Sequence, residues 1–111
     1  MSIVKINNEP LYKIKLNLNK FENSKWVKKK CTKTKNNLNI LSYNLWGAYK
    51  DKIKYPKLYN IKIRGNGLIK LLKDKNVDLL CLQEVSKDWL LFLLKNKYIR
   101  DNYYISDINT N

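Results

Sequence analysis

Residues 77–85 read V-D-L-L-C-L-Q-E-V. A nearly unbroken apolar run of this length, rich in branched side chains and preceded by a helical pattern, predicts a strand buried on both faces. Leu79, Leu80 and Leu82 would each contribute up to about 1.5–3 kcal/mol on burial. The run then stops abruptly at an amide and a carboxylate, Gln83 and Glu84. A core needs no carboxylate, and in open α/β sheets ligands collect at the carboxyl ends of strands.

The flanking sequence fits that strand into an α/β frame. Leu68, Leu71 and Leu72 recur at helical spacing and predict a helix over residues 67–75, with Asn76 in the left-handed position that ends it. Ser86 is a candidate N-cap, and Asp88 suits the first turn of a second helix over residues 87–95. That helix is apolar on most sides, through Trp89, Leu90, Leu91, Phe92, Leu93 and Leu94, so substantial burial is expected. Residues 102–106, N-Y-Y-I-S, read as a last short strand, and residues 38–43, L-N-I-L-S-Y, as a strand before the first helix. Between them, residues 48–63 form a long connection interrupted by Pro56. If the strands at 38–43 and 77–84 are parallel, Asn44 and Glu84 meet at one edge of the sheet.

Residues 1–37 read as a basic extension with one half-buried strand, where Tyr12, Ile14, Leu16 and Leu18 alternate with polar residues. Phe21 and Trp26 are candidate anchors for it. The run K-K-K-C-T-K-T-K over residues 28–35 is either a phosphate-contacting or nuclear-targeting stretch or, as the preferred reading, a solvated linker between strands. Residues 38–111 make the body of a single domain.

The net charge is +14, from 23 basic and 9 acidic residues, which favours polyanionic partners such as nucleic acid or an anionic membrane surface. The excess is almost all lysine, with abundant asparagine, so AT-rich coding is the competing source. Tyr49, Tyr55 and Tyr59 interleave with lysines in the 48–63 connection, the mixture used for base stacking and phosphate contact, or else for packing a surface loop onto its domain. Candidate nucleic-acid contacts are Lys28, Lys29, Lys30, Trp46, Tyr49, Lys50 and Arg64. No stretch has the apolar length of a membrane span, and the N-terminus lacks a signal-peptide core. Cys31 and Cys81 are too few and too far apart for a disulfide framework or a zinc site, so an intracellular location, cytoplasmic or nuclear, is expected. Histidine is absent, which removes the commonest general base and metal ligand.

A carboxylate at a strand end suits Mg²⁺, or Mn²⁺ in its place, held by one or two carboxylates plus substrate phosphate. Asn44 can donate its amide hydrogens to a phosphate oxygen, and Gln83 can support the shell. From spacing alone, the preferred reading is that Asn44 is a turn residue and Glu84 an ordinary strand-end carboxylate. The segments N-I-L-S-Y-N-L-W at 39–46, Arg64, and V-D-L-L-C-L-Q-E-V at 77–85 together resemble the opening of the endonuclease/exonuclease/phosphatase superfamily. That superfamily includes DNase I-like nucleases, apurinic endonucleases, tyrosyl-DNA phosphodiesterase 2, sphingomyelinases and inositol phosphatases. The resemblance covers about residues 38–107 and leans towards the tyrosyl-DNA phosphodiesterase 2-like or nuclease branches. It implies the N-terminal part of a four-layer α/β/β/α sandwich, Glu84 as a Mg²⁺ ligand and Asn44 as an active-site polar residue. Tyr98, Tyr103 and Tyr104 fall near aromatic positions of that family.

The family's downstream G-D-F-N-type and S-D-H-type motifs, which carry a catalytic aspartate and histidine, have no counterpart among these residues. The expectation is therefore the N-terminal portion of a Mg²⁺-dependent phosphodiesterase, incomplete and inactive alone, with an unfinished sheet edge and uncovered apolar surface. It would arise from a shortened protein, a split protein completed by a partner chain, or a remnant kept for binding. The alternatives from other classes are a non-catalytic basic nucleic-acid-binding module and a protein whose sheet edge pairs with another polypeptide.

Overall fold

The computed structural model describes residues 1–5, 14–33, 38–47, 53–57 and 59–109. The elements in chain order are β1 (Ser2–Lys5), β2 (Ile14–Glu22), β3 (Lys25–Lys33), β4 (Ile40–Asn44), α1 (Ile61–Asp74), β5 (Leu79–Gln83), α2 (Lys87–Lys95), α3 (Lys97–Asn102) and β6 (Tyr103–Ile105). The chain is an α/β protein with one mixed six-stranded sheet, ordered β3-β2-β6-β1-β5-β4, and three helices. Among the described residues no helix is long and apolar enough to cross a membrane.

β4 and β5 are parallel, with Ile40 opposite Leu79 and Asn44 opposite Gln83. β1 is antiparallel to both β5 and β6, so β4, β5 and β6 all run the same way. Their carboxyl ends share one edge of the sheet, and this edge carries the candidate site. At the opposite end the two parallel strands are clasped by Asp78, a buried carboxylate whose Oδ2 accepts from the Asn39 backbone N–H at 2.8 Å. Asn39 in turn donates its Nδ2 to the Asn76 carbonyl at 3.0 Å.

All three helices lie on one face of the sheet. Leu68, Ile69 and Leu72 of α1, with Trp89, Leu90, Leu93 and Leu94 of α2, bury against Ile3, Leu80, Leu82 and Ile105. Leu72, Leu80 and Leu93 are fully buried, each worth up to about 1.5–3 kcal/mol. β5 is consequently buried on one face only: Leu80 and Leu82 face the helices, while Leu79 and Cys81 are half-buried. This corrects the expected two-sided burial. The cause is that among the described residues no second layer covers the other face, where Leu18 packs against only Leu79 and Tyr104 and Ile40 is 59% exposed.

Other boundaries also differ from the sequence reading. Ser2–Lys5 is not part of an appendage, because β1 sits in mid-sheet between β6 and β5. The lysine stretch is not a linker as far as Lys33: it is edge strand β3, paired along its length with β2. Asn23 and Ser24 join the two strands, both with positive φ (51° and 63°), the type I′ geometry whose twist matches that of a hairpin. A lysine-rich edge also resists pairing with other chains. Residues 34–37 lie outside the described residues. The strand expected near Tyr12 to Leu18 runs instead over Ile14–Glu22, and Tyr12 falls outside the described residues.

The first helix begins at Ile61 rather than 67, because Asn60 caps it by accepting from the Ile63 N–H at 3.1 Å. Gly65 is then interior, and its lack of a Cβ admits the Phe92 ring between α1 and α2. The second helix stands where expected, with Ser86 accepting from the Trp89 N–H at 3.3 Å. The short α3 was not foreseen; Asn96 caps it through the Ile99 N–H at 3.0 Å.

Candidate functional site

The site edge is built from two tight turns that follow β4 and β5. After β4, the Asn44 Oδ1 accepts from the Trp46 N–H at 2.8 Å, an Asx turn that leaves the amide hydrogens of Asn44 as its outward donors. The Leu45 N–H still donates to the Gln83 carbonyl at 2.9 Å, tying this turn to β5. After β5 comes Glu84. Trp46 and Glu84 both have positive φ, 50° and 54°. Residues with a Cβ pay roughly 1–3 kcal/mol for such conformations, and they cluster where a function requires them.

The two turns touch through Gly47. A Cβ there would lie 2.9 Å from the Ser86 nitrogen, 3.1 Å from the Glu84 carbonyl carbon, and closer still to the Glu84 carbonyl oxygen. Only a glycine lets the 45–47 turn rest on the backbone that aims Glu84. Ser86 completes the join: its Oγ caps α2 and lies 3.4 Å from the hydroxyl of the buried Tyr59.

Glu84 is exposed and lines two clefts. The smaller, about 300 Å³, is bounded by Gly47, Val85 and Ser86. The larger, about 570 Å³, brings in Lys87, Ser106 and Asp107 over an apolar floor of Leu82 and Leu90. Asn44 borders neither cleft: it is exposed opposite Gln83 and shares that residue's face of the sheet. Gln83 does not turn towards Glu84. Its Nε2 donates to the Ser42 Oγ at 3.1 Å, on the sheet face away from the helices.

Asp107, Ser106 and Lys87 escaped the sequence reading. The signal was present: β6 ends at Ile105, two residues before Asp107. Placing that end beside Glu84 requires knowing that β1 lies between β5 and β6, and β1 was not foreseen.

Arg64 faces inward. Its guanidinium donates to the Leu45 carbonyl and sits over three rings, 5.4 Å from Trp46, 5.5 Å from Tyr59 and 5.2 Å from Trp89. Among the described residues no carboxylate pairs with it; cation–π attraction holds the guanidinium, and the side chain braces the 45–47 turn against α1 and α2. Lys28 and Lys29 are both exposed on β3, but successive strand residues point to opposite faces. Lys29 bonds Glu22 at 2.8 Å, so its ammonium is held above the ordinary lysine range and the Glu22 carboxyl below the ordinary carboxylate range. Lys30 is the next residue of the same strand. Tyr49 and Lys50 lie outside the described residues.

Among the described residues there is no group of three or more His, Cys, Asp or Glu side chains placed to hold a metal ion. The cleft supplies carboxylate oxygens from Glu84 and Asp107 at most. That donor set is too small for a structural metal but fits Mg²⁺, which binds through one or two carboxylates, water and substrate phosphate. Comparison of the chain with protein-family models, with curated proteins and with solved structures finds no match.

Proposed function

We propose that residues 1–111 supply the Glu84 and Asn44 part of a Mg²⁺-dependent phosphodiesterase site acting on nucleic acid, of the endonuclease/exonuclease/phosphatase type. The observation that carries this reading is the parallel β4–β5 register, which ends both strands at one edge with Asn44 and Glu84 on turns locked together through Gly47. Glu84, with Asp107 across the larger cleft, would hold the cation, and Lys87 on the same cleft would bind phosphate oxygens; the Asn44 amide hydrogens would bind a phosphate oxygen from the adjoining turn, outside the cleft. A cation bound there neutralises charge developing on a phosphoryl group. Histidine is absent, so on this reading water is activated by a carboxylate, a lysine or a tyrosine, or by a group on a partner polypeptide. The open sheet face with Leu18, Leu79 and Tyr104 is where the second sheet of a four-layer sandwich would pack.

The test is thermal unfolding with Mg²⁺, with thymidine 5′-phosphate, and with both. Joint binding at one site raises the Tm more with both ligands than the two separate shifts combined, and Glu84→Ala removes the surplus. Purely additive shifts, or a surplus that survives Glu84→Ala, contradict the reading.

A second reading has its own support. Lys25, Lys28 and Lys29 stand exposed on edge strand β3, remote from Glu84 in the sheet order. A non-catalytic basic module would bind nucleic acid through them with steep salt dependence, indifferent to Glu84→Ala and to Mg²⁺.

A further inference from the structure

We infer that Trp46 and Tyr55 form a stacking surface for an unpaired nucleobase beside the Asn44–Glu84 edge, so that the nucleic acid bound there is single-stranded. This deepens the phosphodiesterase reading and rests on it for the place of the phosphate. The two rings lie 6.1 Å apart, tilted by 38°. Tyr55 is 39% exposed and contributes nothing to the buried core. Trp46 is half-buried, two residues after Asn44.

The surface is preorganised rather than incidental. The Asx turn at Asn44 holds the Trp46 backbone in its left-handed conformation. Arg64 lies over the Trp46 ring at 5.4 Å, and Tyr59 packs beside it at 5.9 Å. Tyr59 itself is buried, so of the two described tyrosines in the 48–63 connection it is Tyr55 that remains outward. The surface is also cationic. The Lys54 ammonium sits 5.3 Å over the Tyr55 ring, and Lys54 and Lys57 are both exposed.

Aromatic faces interleaved with lysines bind single strands through base stacking plus phosphate attraction, whatever the sequence. In a duplex the base faces are already stacked on one another. An inositol or lipid headgroup offers no aromatic face to these rings. The chemistry of the patch therefore selects an unpaired nucleotide.

The test is fluorescence anisotropy without Mg²⁺ and with chelator, using labelled eight-nucleotide single strands. The comparison ligands are an abasic phosphodiester strand of equal charge and a hairpin duplex with the same number of phosphates. The base-bearing strand is expected to bind about tenfold more tightly than either. Tyr55→Ala and Trp46→Ala should each remove about tenfold of that preference. Tyr55→Ala alters an exposed side chain, so its far-ultraviolet circular dichroism should match the parent protein. Equal binding of abasic and base-bearing strands overturns the inference, as does a preference that both ring variants retain. Because the assay contains no metal, its outcome is independent of whether Mg²⁺ and phosphate bind jointly at Glu84.

Discussion

Replacing Gly47 by alanine should separate the two turns that form the site. The new Cβ would stand 2.9 Å from the Ser86 nitrogen and closer still to the Glu84 carbonyl oxygen, whereas ordinary contact begins near 3.4 Å. Both obstacles are backbone, so no side-chain rotation relieves them and one turn must move. Overpacking of this kind costs roughly 1–3 kcal/mol, and a backbone obstacle puts Gly47→Ala at the upper end, about 3 kcal/mol. For a domain of this size that is a fall in Tm on the order of 10 °C. Gly67 provides the control: a Cβ there meets nothing within 4 Å, on an exposed part of α1. Gly67→Ala should therefore stabilise by up to about 1 kcal/mol through helix propensity. Urea and thermal unfolding followed by circular dichroism measure both. A Gly47→Ala protein within about 0.5 kcal/mol of the parent, or a Gly67→Ala protein that loses as much as Gly47→Ala, would refute the described contact.

Tyr103 is fully buried and its hydroxyl donates to the Val77 carbonyl at 2.8 Å; burial, then the neighbouring Tyr98, pushes its phenol above the ordinary value of 10.0. A raised folded-state pKa means stability intact below about pH 10 and lost as the pH climbs beyond it, since the unfolded chain ionises first. Unfolding free energy should thus fall more steeply in alkali for the parent protein than for Tyr103→Phe, and identical pH profiles would count against this. Trp26 docks the β2–β3 hairpin by donating its Nε1–H to the Leu94 carbonyl at 3.2 Å, and Phe21 packs edge-on against it while Arg100 covers the Phe21 ring at 4.0 Å. Trp26→Ala should speed amide exchange about tenfold or more in β2 and β3 while sparing β5, whereas equal acceleration throughout would show that the hairpin does not open on its own. Purified 1–111 is expected to cleave neither single- nor double-stranded DNA with Mg²⁺; cleavage that Glu84→Ala abolishes would show that no further residues are needed.

The parts of the fold legible in the sequence were those set by local chemistry. Ser86 as an N-cap, Asn76 in a left-handed position and the apolar run ending at Gln83 each depend on near neighbours. What stayed hidden depended on distant partners. Ser2–Lys5 has too few residues to show a period, and only its pairing with both β5 and β6 makes it a central strand. Lys25–Lys33 looks like a solvated run because β3 is an edge strand, where lysine and strand are compatible. The start of α1 was masked by two glycines, whose low helix propensity is overridden at Gly65 by packing against Phe92. The same division applies to the site. Asn44 and Glu84 could be paired from the ends of two strands, but Asp107 and Lys87 could not, since their cleft depends on the strand order.

The proposed phosphodiesterase site depends on Glu84 binding a divalent cation at the carboxyl edge of the sheet. Paramagnetic Mn²⁺ added in small steps to isotopically labelled 1–111 tests it most directly, through distance-dependent broadening of backbone amide signals. Signals from residues 45–47, 84–87 and 106–107 are expected to broaden first, excess Mg²⁺ to restore them, and Glu84→Ala to abolish the effect. Broadening that centres elsewhere, or that persists unchanged in Glu84→Ala, would contradict it.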